Sequence, residues 1–165
     1  MPSLEGKRAL VLGVANERSI AWGITQKLAA EGSQVALTFL GDTLEKRVRP
    51  LADKIGADLV LPCDASQDDQ IAAMYEAIDA KWGGLDILIH AIAFADRQDL
   101  MGRFVDTSRE GFRLALDVSA YSLVSLSRGA RPLMISAGGG SIVTLTFDGS
   151  QRVFPNYNVM GVAKA

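Results

Sequence analysis

The chain has 165 residues, 48% hydrophobic and 22% charged, which supplies core for one domain and does not match a disordered composition. Its 17 basic and 19 acidic side chains give a net charge of -2 with no long basic run, which argues against nucleic-acid binding. One cysteine, Cys63, and one histidine, His90, exclude an internal disulfide framework and a His- or Cys-rich metal site; the opening MPSLEGKR has no apolar h-region and no apolar run reaches membrane-span length, so the expectation is a soluble cytoplasmic protein.

In chain order, Arg8 to Leu12 (RALVL) reads as a first buried strand. Ser19 to Glu31 reads as a helix with Ile20, Ile24, Leu28 and Ala29 as its apolar stripe, closed by Gly32. Gln34 to Phe39 is a second strand, and Thr43 to Ile55 a charged helix in which Pro50 predicts a break or bend. Asp58 to Leu61 is a short third strand, followed by a helix from Ser66, a candidate cap, to Trp82. Leu85 to His90 (LDILIH) is nearly all apolar, as suits a parallel strand covered on both faces. Residues 91–107 lack a clean period. Ser108 to Met134 is the longest helical stretch, Ser141 to Thr146 a fifth strand, and a last helix starts near Tyr157 and still runs at Ala165. The alternation predicts an α/β fold, a doubly wound parallel Rossmann-like sheet with right-handed crossovers, in one domain.

Gly13 closes the first strand, and Val14 to Ser19 lead into the helix. The run is not GxGxxG. A tight turn at Gly13 before free helix N–H groups still permits a phosphate site, with Ser19 either capping the helix or donating to a phosphate. An ordinary strand–loop–helix turn is the alternative. Asp64 could accept from an adenine amino group or cap the next helix. Asp42 is late for a ribose-binding acid after the second strand, Leu40 supplies no hydrogen bond, and no arginine follows at once to grip a 2′-phosphate. That leans towards NADH over NADPH. His90, alone at a strand end, reads as structural.

Tyr157 and Lys164 are seven residues apart. On a helix that separation turns through about 700°, about 20° short of two turns, with a rise of about 10.5 Å. The two side chains then share a face, where an ammonium favours phenolate and can hold a ribose hydroxyl. A chance meeting on a surface helix is the alternative that spacing alone leaves open.

Taken together, Gly13-Val14-Ala15-Asn16 with Ser19-Ile20-Ala21-Trp22-Gly23-Ile24, Cys63-Asp64, His90-Ala91-Ile92-Ala93-Phe94-Ala95, Arg109-Glu110-Gly111-Phe112 and Pro155 to Ala165 closely resemble the bacterial enoyl-(acyl-carrier-protein) reductases, a divergent branch of the short-chain dehydrogenase/reductase superfamily. The classical members of the superfamily space the pair as Tyr-x3-Lys; here that position is Gly161. The resemblance implies NADH-dependent reduction of a trans-2-enoyl thioester on acyl carrier protein in fatty acid biosynthesis. Hydride goes to the β-carbon, and the enolate is stabilised at oxygen and protonated at the α-carbon. By residue match, Tyr157 hydrogen-bonds the thioester oxygen and Lys164 holds the nicotinamide ribose. Gly13, Ser19, Ile20, Leu40, Asp64, Ala65 and Ile92 match cofactor contacts, and Ala95 a substrate contact. The resemblance also implies a homotetramer at full length; composition and hydropathy point to no metal, membrane or nucleic-acid partner.

Two departures stand out. The family's second tyrosine, ten residues before Tyr157, is Phe147 here: a hydroxyl that positions substrate or relays a proton is lost, whereas one that only packs is little missed. The chain also corresponds to the N-terminal part of the family, about 165 of 260 residues, holding strands one to five of seven and ending inside the Tyr-Lys helix. The expectation is therefore an incomplete NAD-binding domain, residues 1–165, inactive alone and rescued by a polypeptide that completes it. Two other readings remain: a short-chain dehydrogenase acting on a carbonyl or alcohol, with Thr144 near the usual serine and Ser119 near the usual helix asparagine, and a non-catalytic nucleotide-binding or assembly module presenting the 108–134 helix.

Overall fold

The computed structural model describes residues 3–165; Met1 and Pro2 of the MPSLEGKR stretch lie outside the described residues. In chain order the elements are β1 (Arg8–Leu12), α1 (Ile20–Ala30), β2 (Gln34–Phe39), α2 (Gly41–Ile55), β3 (Leu59–Pro62), α3 (Asp68–Trp82), β4 (Ile87–His90), α4 (Arg97–Leu100), α5 (Arg109–Leu116), α6 (Ser122–Ser136), β5 (Ser141–Thr144) and α7 (Asn158–Lys164). The five strands form one parallel sheet in the order β3-β2-β1-β4-β5. This is the Rossmann-like α/β sheet that the alternating pattern predicts. The chain divides into two compact units, Met1–Ala91 with Leu126–Thr144, and Ile92–Ser125 with Leu145–Ala165.

The first unit carries the sheet. Successive residues of a strand face opposite sides, and β1 is apolar on both: Ala9, Leu10, Val11 and Leu12 are all fully buried. Ala9 and Val11 join Val35, Leu37 and Phe39 of β2 in a core closed by Ala21, Trp22 and Leu28 of α1 and Val48, Leu51 and Ala52 of α2. Tyr75 of α3 donates to the carbonyl of Leu126 at 2.7 Å, and Gly129 lets the ring lie against α6, since a Cβ there would meet ring carbons at 2.4 Å. At the start of β1, Asp86 accepts from Lys7 Nζ (3.0 Å), Arg8 Nε (2.8 Å) and the Arg8 backbone N–H (3.0 Å). β5 has β4 as its sheet neighbour, and its Ile142 and Val143 remain 43% and 45% exposed.

Several boundaries differ from the sequence reading. α2 starts at Gly41 and runs unbroken through Pro50; the burial of Val48, Leu51 and Ala52 on either side of the proline outweighs the backbone hydrogen bond it forfeits. α6 likewise continues past Pro132 to Ser136. Ser66 does not cap α3. Its N–H and hydroxyl both donate to Asp64 Oδ1, at 2.9 and 2.8 Å, and Gln67 takes the cap position. The 108–134 stretch is helical, and Ser108 caps it by accepting from Gly111 N. A π-helical turn over Asp117–Tyr121 interrupts it, and hydrophobic periodicity carries no sign of that turn. No helix among the described residues is long and apolar enough to cross a membrane.

Candidate active site

In the first unit, Gly13 follows β1 with φ +104°, and a Cβ on it would lie 2.1 Å from the Ala91 carbonyl oxygen. A side chain is therefore excluded twice, by backbone conformation and by the close approach of a neighbouring main chain. Ser19 occupies the N-cap of α1 without a side-chain cap bond. Its Oγ accepts from the N–H groups of Ala15 and Asn16, both at 3.0 Å. A hydroxyl accepting twice keeps its one proton to donate, so of the two roles open to Ser19 the structure removes the cap. No acidic side chain stands in the first turn of α1, which leaves the positive end of the helix dipole uncompensated. Ile20 and Leu40 are exposed, and Ala65 is buried. Asp64 spends Oδ1 on Ser66 and does not cap α3.

His90 is fully buried, with Nδ1 2.9 Å from Thr144 Oγ1, in keeping with a structural role. That pairing engages the hydroxyl that a carbonyl dehydrogenase would need as proton partner. Burial, and to a lesser degree the neighbouring Asp64 carboxylate, push the Cys63 thiol up to about 11, which removes it as a nucleophile at neutral pH.

The second unit contains the Tyr157 and Lys164 pair. Tyr157 sits at the N-cap of α7 and Lys164 is its last residue. The Tyr157 ring lies against that of Phe147, with centroids 4.3 Å apart and planes at 34°. Phe147 is seated by glycine: a Cβ on Gly149 would strike its ring carbons at 2.2 Å, and one on Gly161 of α7 would come within 3.0 Å of the Gly149 carbonyl oxygen. Thr146, next to Phe147, donates to the carbonyl of Lys164 at 2.7 Å. Two consecutive residues thus touch both ends of α7. Asn156 and Asn158, on either side of Tyr157, adopt positive φ values of 62° and 31°, a conformation that asparagine tolerates better than most residues.

Lys164 is half-buried. Its ammonium donates to the carbonyl of Ile92 at 2.8 Å and to that of Ser119 at 3.4 Å. Burial lowers its pKa below the usual 10.5. Ala95 lies in the segment after Ile92, half-buried. Within this unit the structure therefore brings together Tyr157 with Phe147, and Lys164 with Ile92. Ser119, Thr146 and Gly149 were not legible as part of that arrangement. Sequence reading reached Ser119 only as a departure from an asparagine, because its contacts depend on the π turn. A cleft of about 430 Å³ borders Tyr157, lined among others by Phe104, Val153, Phe154 and Val162.

The family model described as enoyl-(acyl carrier protein) reductase matches residues 13–165. The chain belongs to the enoyl-(acyl carrier protein) reductase family. An NADH-dependent enoyl-(acyl-carrier-protein) reductase of a Nostoc species is 54% identical over 168 residues, covering all of this chain and 64% of that protein. Among solved structures, the Bacillus cereus enoyl-acyl carrier protein reductase with NADP+ and an indole naphthyridinone superposes with a TM-score of 0.95 at 49% identity, covering 99% of this chain and 64% of that one. The Anaplasma phagocytophilum reductase in complex with NAD gives 0.93 at 45% identity, covering 98% and 61%. The chain thus spans a little over three fifths of the length of the curated relatives it matches. The Gly13 turn and the Tyr157 and Lys164 pair both fall within the part that matches the enoyl reductase family model.

Proposed function

We propose that this chain carries the cofactor-binding part of an enzyme that uses NADH to reduce trans-2-enoyl groups on acyl carrier protein, in fatty acid biosynthesis. The observation that carries the reading is the Lys164 ammonium, fixed on the Ile92 carbonyl at the end of the helix that Tyr157 opens. The residues of the first unit fit a dinucleotide. Gly13 keeps the turn after β1 free of side chain, Ser19 offers a hydroxyl proton towards a phosphate at an uncompensated helix N-terminus, and Asp64 has a carboxylate for the adenine amino group. Ile20, Leu40 and Ala65 complete the cofactor contacts there, and Ile92 is assigned to the cofactor by residue match. The lack of an arginine directly after β2 supports NADH over NADPH.

When bound, NADH supplies the hydride for the β-carbon of the enoyl thioester. Tyr157 donates to the thioester oxygen as negative charge gathers there, an oxyanion role. Lys164 keeps two of its three N–H bonds on backbone carbonyls and turns the third to a ribose hydroxyl. Ala95 borders the substrate. Phe147 keeps the Tyr157 ring in place but brings no hydroxyl of its own.

The proposal includes a homotetramer at full length and no metal, membrane or nucleic-acid partner. It takes residues 1–165 as an incomplete domain of a seven-stranded sheet that does not turn over alone; the exposed Ile142 and Val143 on β5 support that. The test has two arms. NADH titrated into the chain by fluorescence is expected to bind, and Lys164→Met to weaken it about tenfold, one charge-assisted hydrogen bond. Loss of NADH absorbance with a trans-2-butenoyl thioester of acyl carrier protein is expected once the rest of the family's length is supplied as a second polypeptide. Turnover of a ketone in place of the enoyl thioester would refute the reading, as would NADH binding indifferent to Lys164.

A further inference from the structure

The geometry points to Ser119 as a positioning residue that fixes both acceptors of the Lys164 ammonium; the functional meaning of that placement rests on the reading above. Ser119 is 3% exposed and lies in the π-helical turn Asp117–Tyr121. A π turn adds a residue to one helical turn and sets backbone carbonyls off the regular ladder, which is why such turns collect at functional places. Here the Ser119 carbonyl takes one of the Lys164 N–H bonds, at 3.4 Å.

The Ser119 side chain secures the other. Its Oγ accepts from the Phe94 N–H at 2.9 Å and donates to the Phe94 carbonyl at 3.0 Å. One hydroxyl therefore brackets both backbone groups of a residue two positions from Ile92, whose carbonyl receives Lys164 at 2.8 Å. A hydroxyl is suited to this because it donates and accepts from one atom; alanine leaves both Phe94 groups without their partner. With two N–H bonds fixed through one residue, the third has a defined direction for a ribose hydroxyl.

The test reads Lys164 directly. In the full chain with 15N-labelled lysine, the side-chain ammonium signal of Lys164, assigned by its loss in Lys164→Arg, is expected to persist because hydrogen bonds slow its exchange with water. Ser119→Ala is expected to lose most of that signal, Ser119→Cys, near in shape but a weak donor, to lose part of it, and Ser119→Thr, which keeps the hydroxyl, to retain it. An unchanged Lys164 signal in Ser119→Ala and Ser119→Cys overturns the inference. Should Ser119→Ala fail to fold, the Cys and Thr variants decide: signals that differ support it, and signals that match overturn it. NADH titration of Lys164→Met stands apart from these spectra. If the Lys164 signal follows Ser119 while NADH binding ignores Lys164, the placement holds and the cofactor reading fails.

Discussion

Replacing Gly13 by alanine separates two costs that glycine avoids in this fold. The first is conformational: at φ +104° a side chain costs about 1–2 kcal/mol. The second is collision. The new Cβ would lie 2.1 Å from the Ala91 carbonyl oxygen and 2.6 Å from its carbon. Ala91 cannot swing away freely, because its own N–H donates to the Leu12 carbonyl at 3.1 Å. Overpacking against so fixed a neighbour costs about 1–3 kcal/mol more, so Gly13→Ala is expected to destabilise by about 2–5 kcal/mol in all. Gly56→Ala is the matched control: its φ is +63° with nothing within 4 Å of the added Cβ, so only the conformational cost applies. Urea unfolding followed by tryptophan fluorescence gives both values, and equal midpoints with equal slopes would falsify the assignment of Gly13 to close backbone approach.

Acid stability is expected to depend on Asp86. Burial alone would raise its carboxyl, but the Arg8 side chain and backbone N–H and the Lys7 ammonium pull it from 3.8 to about 2. A depressed carboxyl contributes stability above its unfolded value and loses it as pH falls through the folded one, so roughly 2 kcal/mol should disappear between about pH 5 and pH 2. Asp86→Asn should flatten that part of the curve in urea melts at stepped pH. Cys63, with its thiol raised to about 11 by burial first and by Asp64 second, should resist a thiol-specific disulfide reagent at pH 8 in the native chain and react fully in urea; fast native labelling would contradict its burial. Tyr75→Phe should cost about 1 kcal/mol by removing the buried hydrogen bond to the Leu126 carbonyl, which keeps its place in the α6 ladder, with the urea midpoint lower and the slope unchanged.

The strand and helix alternation made the parallel sheet legible, because buried strands write unbroken apolar runs such as RALVL and LDILIH into the sequence. The spacing of Tyr157 and Lys164 was legible but its setting was not: Tyr157 stands at the N-cap of α7, before its helical turns, and Asn158 follows at φ 31°. Phe147 could be read only as a missing hydroxyl. That its ring rests on Tyr157, in a seat cleared by Gly149 and Gly161, depends on side-chain packing between segments, which no local pattern encodes. The behaviour of the prolines follows the same logic. Local chemistry puts a break at Pro50, but the buried neighbours of α2 overrule it.

By itself, then, the sequence determined the order of elements and the glycine after β1, properties of short stretches whose periodicity and spacing are set by the backbone. Only the tertiary structure decided which partners these residues use. Ser19 brackets the turn in place of capping α1, His90 pairs with Thr144, and the Lys164 ammonium rests on carbonyls 72 and 45 residues away. Hydrogen bonds to backbone carbonyls carry no side-chain signature at the acceptor, so chain folding alone could reveal them.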